Sequence, residues 1–188
     1  LDDLAVGAHE AMGKTGVLRI IYLDNSVPVI EGWASTASYS EGDGPTTLAG
    51  SLVLSDPDAG SDGSQGLLIK AVVEVTGYVA DEDEFKIGAA GVTVAAEDGV
   101  DVGSGITLVA ADDDAGTLTL TLSAAPGGST ASDFADVLKT LTYENIADAP
   151  TEANRTLTLR VTDTSVESAN AASEVATLTL TVTGENDR

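Results

Sequence analysis

The chain has no cysteine and only one histidine, His9, among its 188 residues. The missing cysteines exclude disulfides, a thiolate-ligated zinc and a thiol nucleophile. One histidine cannot build a histidine-ligated zinc centre. Aromatic residues are also sparse, with one Trp, four Tyr and two Phe. A packed core must then come from Val, Leu, Ile and Ala, which suits many short strands better than an aromatic-lined cleft. Basic residues are the next shortage: 8 Lys and Arg face 31 Asp and Glu, for a formal net charge of −23. Such a field repels nucleic acid and anionic membranes and attracts divalent cations. No apolar run approaches the roughly 18 residues that a membrane helix needs, so no membrane insertion is expected. No signal-peptide pattern is present, and the chain opens on Leu1 without a Met, as an excised piece of something larger would.

What is present is apolar enough to fold. Hydrophobic residues make up 43% of the chain, which argues against global disorder. They recur with period two. Leu157, Leu159 and Val161 alternate with polar residues, and so do Ala176, Leu178, Leu180 and Val182. That alternation is the mark of strands with one buried face. The same reading gives strands at Ser51–Ser55, Leu67–Thr76, Val92–Ala95, Ile106–Ala110, Thr117–Ser123, Thr140–Tyr143, Thr156–Thr162 and Ala176–Thr183. Turn sequences separate them, among them Glu41-Gly42-Asp43-Gly44-Pro45, Asp56-Pro57-Asp58-Ala59-Gly60 and Pro126-Gly127-Gly128. Eight short strands with such punctuation predict an all-β sandwich. One segment differs: Phe134, Val137, Leu138 and Leu141 follow Ser132 at helical spacing, predicting one short helix over about 131–139 that packs Phe134 and Leu138 on one end of the sandwich.

Residues 1–33 read as a separate unit, a hairpin plus connector, with 34–188 as the sandwich. Leu4-Ala5-Val6-Gly7-Ala8 and Val17 to Leu23 are apolar runs around a polar loop. Val27 to Ser38 reads as the connector, with Trp33 as an anchor. Asp2-Asp3-Leu4-Ala5-Val6-Gly7-Ala8, followed by Gly16-Val17, resembles the second half of an FG-GAP repeat of integrin-type propellers, in which Asp3 matches the last residue of a calcium loop. A single truncated blade cannot bury its own faces.

Acidic residues gather at the corners between strands. Calcium takes six to eight oxygens, so clustered Asp, Glu and Asn on turns suit it. The stretch Thr142 to Asp163, with Tyr143 and Asn145, an acidic corner and a long alternating strand, together with the terminal Asn186-Asp187, resembles the cadherin-like repeats of large bacterial RTX/VCBS-type adhesins. The resemblance covers roughly residues 35–188 and implies a cadherin-like, Ig-like Greek-key β-sandwich with calcium between consecutive modules. It carries metal-ligand roles to Glu41, Asp56, Asp58, Asp163, Asn186 and Asp187. One departure stands out: Thr183-Gly184-Glu185 replaces the start of the family's linker pattern.

Each acidic group has a plainer reading beside it. Asp-Pro-Asp-Ala-Gly is a good turn without any metal. Asp112-Asp113-Asp114 reads as a solvated hairpin, and Asp81-Glu82-Asp83-Glu84 as a solvated charge run. Asn145 and Asp148 read as corner caps, Asn145 with a structural hydrogen-bonding role. The acidity as a whole also suits solubility in high salt. No EF-hand spacing and no Gly-x-Ser-x-Gly context accompanies these residues, so an enzyme is not expected.

The expectation is a calcium-stiffened structural module, extracellular or on a bacterial cell surface, whose partners are adjacent modules of the same polypeptide. The alternative is a module that binds polysaccharide or a second copy of itself, with Trp33, Tyr39 and Tyr78 as sugar platforms.

Overall fold

The computed structural model describes residues 4–7, 19–22, 26–57, 66–88, 92–93, 99–113, 115–163 and 172–185. Alternation decides the layers. The strands β7 (Leu68–Thr76), β11 (Ile106–Asp112), β12 (Thr117–Ala124), β14 (Asn154–Asp163) and β15 (Ala176–Thr183) each turn one set of alternate residues inward. Ala71, Val73, Val75, Leu118, Leu120, Leu122, Leu157, Leu159, Val161, Leu178, Leu180 and Val182 are buried as a result. Full burial of one such Leu is worth about 1.5–3 kcal/mol.

Together with β4 (Thr36–Ser40) and β10 (Val100–Gly103), these strands form a seven-stranded sheet in the order β10-β11-β12-β7-β14-β15-β4. Every neighbouring pair is antiparallel except β15 and β4, which run parallel. A second sheet, β5-β13-β8-β9, is built from Thr46–Thr47, Thr142–Asn145, Asp83–Ile87 and Val92–Thr93. Its Phe85, Ile87 and Tyr143 join the buried cluster of the large sheet, which makes a β-sandwich. A two-stranded ribbon of β3 (Val29–Glu31) and β6 (Val53–Ser55) completes the fold.

The outward face of the large sheet is rich in threonine. Thr117, Thr76, Thr156, Thr179 and Thr36 oppose one another in turn across five neighbouring strands. β-branched side chains fit this surface, and each such cross-strand pair contributes about 0.2–1 kcal/mol.

Helix α1 (Ala131–Leu138) buries Phe134, Ala135, Val137 and Leu138 and lies against β6 and β7. Its N-cap is Thr130 rather than Ser132. The Thr130 hydroxyl accepts from the Asp133 amide at 3.1 Å and the Asp133 carboxylate accepts from the Thr130 amide at 3.1 Å, a reciprocal capping box.

Near the N-terminus, β1 (Leu4–Gly7) and β2 (Arg19–Tyr22) pair antiparallel as a hairpin. One strand lies inside the expected connector and a second overlaps its end. Val29–Glu31 pairs with β6, and Thr36–Ser40 forms the edge of the main sheet beside β15. Within Thr36–Ser40 only Tyr39 is fully enclosed, so the apolar signal is one residue long. The strands Asp83–Ile87 and Val100–Gly103 were likewise not expected, because acidic residues interrupt them.

Candidate functional site

Chemistry-bearing side chains concentrate at one end of the sandwich, where β4 and β15 both finish. The turn after β4 closes through the Asp43 amide, which donates to the Ser40 carbonyl at 3.0 Å, with Gly42 at φ +78°. That places Glu41 beside the end of β15. The Glu41 amide donates to the Thr183 carbonyl at 2.9 Å, and the Glu41 Oε2 accepts from the Glu185 amide at 2.8 Å. From the other side, Glu152 Oε1 accepts from the Gly184 amide at 2.9 Å. Two carboxylates thus grip two successive amides as the chain leaves β15. Glu41, Ala149, Pro150, Glu152, Gly184 and Glu185 line a shallow cleft of about 330 Å³ there.

Beneath this acidic end lies a buried polar cluster centred on Asp83. Its Oδ1 accepts from the Tyr143 hydroxyl at 2.7 Å, from Asn145 Nδ2 at 3.1 Å and from Arg155 Nη2 at 3.0 Å. Its Oδ2 accepts from Arg155 Nε and from the Val79 amide, both at 2.9 Å. Arg155 is 0% exposed and also donates through Nη1 to the carbonyls of Thr151 and Ala153, at 2.8 and 2.7 Å. Glu82 sits 3.7 Å from Arg155 Nη2 and binds the Thr151 amide and hydroxyl, each at 2.7 Å. The Tyr39 ring meets Tyr143 edge-on at 5.2 Å, and its hydroxyl donates to the carbonyls of Asp43, at 2.6 Å, and Asn145, at 3.1 Å.

The titration behaviour follows from this packing. Burial pushes the Tyr143 hydroxyl well above the ordinary tyrosine value, and the Asp83 carboxylate beside it pushes the same way. Burial works against the charge on Arg155, yet the hydrogen bonds and charge of Asp83 raise it above its usual value. The Thr151 amide and then its hydroxyl hold Glu82 below the usual glutamate value. A buried charge needs a partner of opposite sign and further hydrogen bonds. Here Arg155, the one fully buried cation among the described residues, has both.

The acidic run Asp81–Glu84 is therefore not a wholly solvated stretch: Asp83 is 5% exposed and paired. The signal was in the phase of the strands. Asp83, Phe85 and Ile87 alternate inward on β8, and Arg155 shares the inward phase of Leu157, Leu159 and Val161 on β14. One acid and one base on buried phases must find each other or stay unpaired. Tyr143 and Asn145 act as expected, bonding within the corner, with Asn145 Oδ1 accepting from the Ala147 amide at 3.0 Å.

The residues expected to hold metal fall in different places. Glu41 is at the end where β15 finishes. Asp163 ends β14, which runs antiparallel to β15, so it lies at the opposite end. At about 3.3 Å per residue, the ten residues of β14 separate the two by about 30 Å. They cannot share an ion. Asp163 is 3% exposed, and Asp56, directly after β6, is 6% exposed. Asp58, Asn186 and Asp187 lie outside the described residues, as do Asp3 and His9. Among the described residues no group of three or more Asp, Glu or His is arranged to hold a metal ion.

Asp113 is the hinge of a hairpin, as its plainer reading had it. Its Oδ1 accepts from the amides of Ala115 and Thr117 at 2.8 and 2.9 Å. Of the aromatic sugar platforms, Tyr39 is not available, being 1% exposed and packed in the core. Tyr78 and Trp33 are half-buried against that core.

No family model matches the chain, and no curated protein does either. Among solved structures, a cohesin module from a Clostridium perfringens ATCC13124 family 33 glycoside hydrolase is similar over 86% of this chain and 98% of that one, at 9% identity and a TM-score of 0.38. At that distance nothing about this chain follows from it.

Proposed function

We propose that the chain is a non-catalytic spacer module of a larger extracellular or cell-surface protein. One observation carries this reading. β4 and β15, the first and last strands of the main sheet in chain order, run parallel side by side. The chain therefore leaves that sheet travelling the way it came in, where an antiparallel pair would turn it back on itself. Modules joined in line need that geometry. The all-β core, the acidic surface and the sequence resemblance to cadherin-like adhesin repeats support the same reading.

Calcium belongs to it at the end where β15 finishes. Glu41 stands beside Glu152 and Glu185 where β15 finishes, and Asn186 and Asp187 follow directly in sequence. In this reading Glu41, Asn186 and Asp187 supply oxygens to a calcium ion that stiffens the link to the adjacent module. Asp163, at the opposite end of the sandwich, takes no part in that site.

Thermal unfolding in calcium, in chelator and in sodium chloride of matched ionic strength tests the calcium half of the proposal. Calcium at a hundredfold excess over its dissociation constant would add about 2.7 kcal/mol, or about 5–10 °C in Tm. The shift should vanish in Glu41→Ala and persist in Asp163→Asn. Equal stabilisation by sodium and calcium would remove the ion and leave only a spacer with a highly charged surface.

A further inference from the structure

We infer that the β4–β15 pair is a mechanical clamp that resists tension along the chain by shear. The inference stands on strand direction and side-chain anchoring, whatever the neighbouring modules are. Five residue pairs join the two strands, from Thr179 opposite Thr36 to Thr183 opposite Ser40. Tension on the segment before β4 and on the segment after β15 pulls the two strands past each other along their own axes. The ladder bonds then bear the force together, and none can open first without the rest. In an antiparallel neighbour such as β14–β15, force applied at the shared end separates one rung at a time.

Both ends of the clamp are reinforced. At the lower end the Thr179 amide donates to the Ser35 carbonyl at 2.9 Å. At the upper end the Glu41 amide reaches the Thr183 carbonyl at 2.9 Å, and the Thr183 hydroxyl reaches the Tyr39 carbonyl at 3.2 Å. Each strand is also pinned to the core. β15 buries Leu178, Leu180 and Val182, while β4 has the single anchor Tyr39. Sliding β4 would drag that ring from beside Tyr143 and break the hydrogen bond of its hydroxyl to the Asn145 carbonyl.

Single-molecule stretching of the full chain tests the clamp, and the absence of native cysteine lets attachment points be chosen freely. Ala34→Cys with Glu185→Cys loads β4 against β15 in shear. Ala153→Cys with Glu185→Cys loads β14 against β15 from their shared end. All three positions are exposed. The expected result is a severalfold higher rupture force for the first pair at equal loading rate. Tyr39→Phe, which keeps the ring, should lower the first force and leave the second unchanged. Equal rupture forces in the two geometries would overturn the clamp. An equal loss in both on Tyr39→Phe would overturn the anchoring role of Tyr39.

Discussion

Asp83 receives the hydroxyl of Tyr143, the amide of Asn145 and two nitrogens of Arg155, with one backbone amide besides. Such a hub holds three strands in one register: β8, β13 and β14. Its value is asymmetric. Asp83→Asn keeps the shape but leaves the buried Arg155 charge with only the longer 3.7 Å contact to Glu82, and should destabilise by about 3 kcal/mol in urea unfolding. Replacing both members, as Asp83→Leu with Arg155→Met, should cost far less than the two single changes summed. If the single and double changes proved additive, the pair would not be coupled. The tyrosines give a second expectation at this scale. Tyr39, Tyr78 and Tyr143 are all raised, burial first in each. A raised folded value means that stability is complete below the unfolded value of about 10 and falls as pH rises beyond it. Alkaline unfolding should accordingly steepen above about pH 10, and Tyr143→Phe should flatten that slope. None of this was visible from the acidic run Asp81–Glu84 as a cluster. It was visible in the phase of Asp83 against Phe85 and Ile87.

Among the elements, those with repeated apolar alternation were legible in advance and those with a single anchor were not. β7, β12, β14 and β15 each bury at least three residues in strict alternation, and their expected bounds agree with the structure to within two residues. β4 has Tyr39 and little else, and β8 is written in acids. Local sequence carries no sign of a parallel partner far along the chain, so the place of β4 in the sheet could not be read. The helix was legible because Phe134, Val137 and Leu138 have the right period. Its start was less so, since Thr130 and Ser132 are both fair caps and only Thr130 has Asp133 three residues on. Thr130→Ala should cost about 1 kcal/mol, read as a lower urea midpoint at unchanged slope. No loss would mean that the box contributes nothing beyond what water supplies.

For the molecule as a whole, a net charge of −23 works against compactness. Raising sodium chloride from about 0.01 M to about 0.15 M shortens the screening length from about 30 Å to about 8 Å. Tm should rise over that range for both wild type and Glu41→Ala, because the repulsion is spread over the surface. A flat response would show that the acids are already compensated in pairs. Which of the acidic residues come together was the least legible part. A resemblance names residue types at strand ends, while only strand direction tells which ends meet, and β14 carries Asp163 away from Glu41.

The parallel pairing of β4 with β15 also sets an order of assembly. Thr183 and Ser40, joined through their side chains at 3.3 Å, are 143 residues apart in sequence. Closing so long a loop is entropically costly, and contacts of such separation slow folding. A chain emerging from its N-terminus presents β4 early and must hold it without its sheet partner until nearly everything else has appeared. The strand is suited to the wait, being short and polar, with one aromatic side chain to commit. Truncation before β15 should then leave the β14 edge open and β4 without a sheet neighbour, with a tendency to pair with other chains.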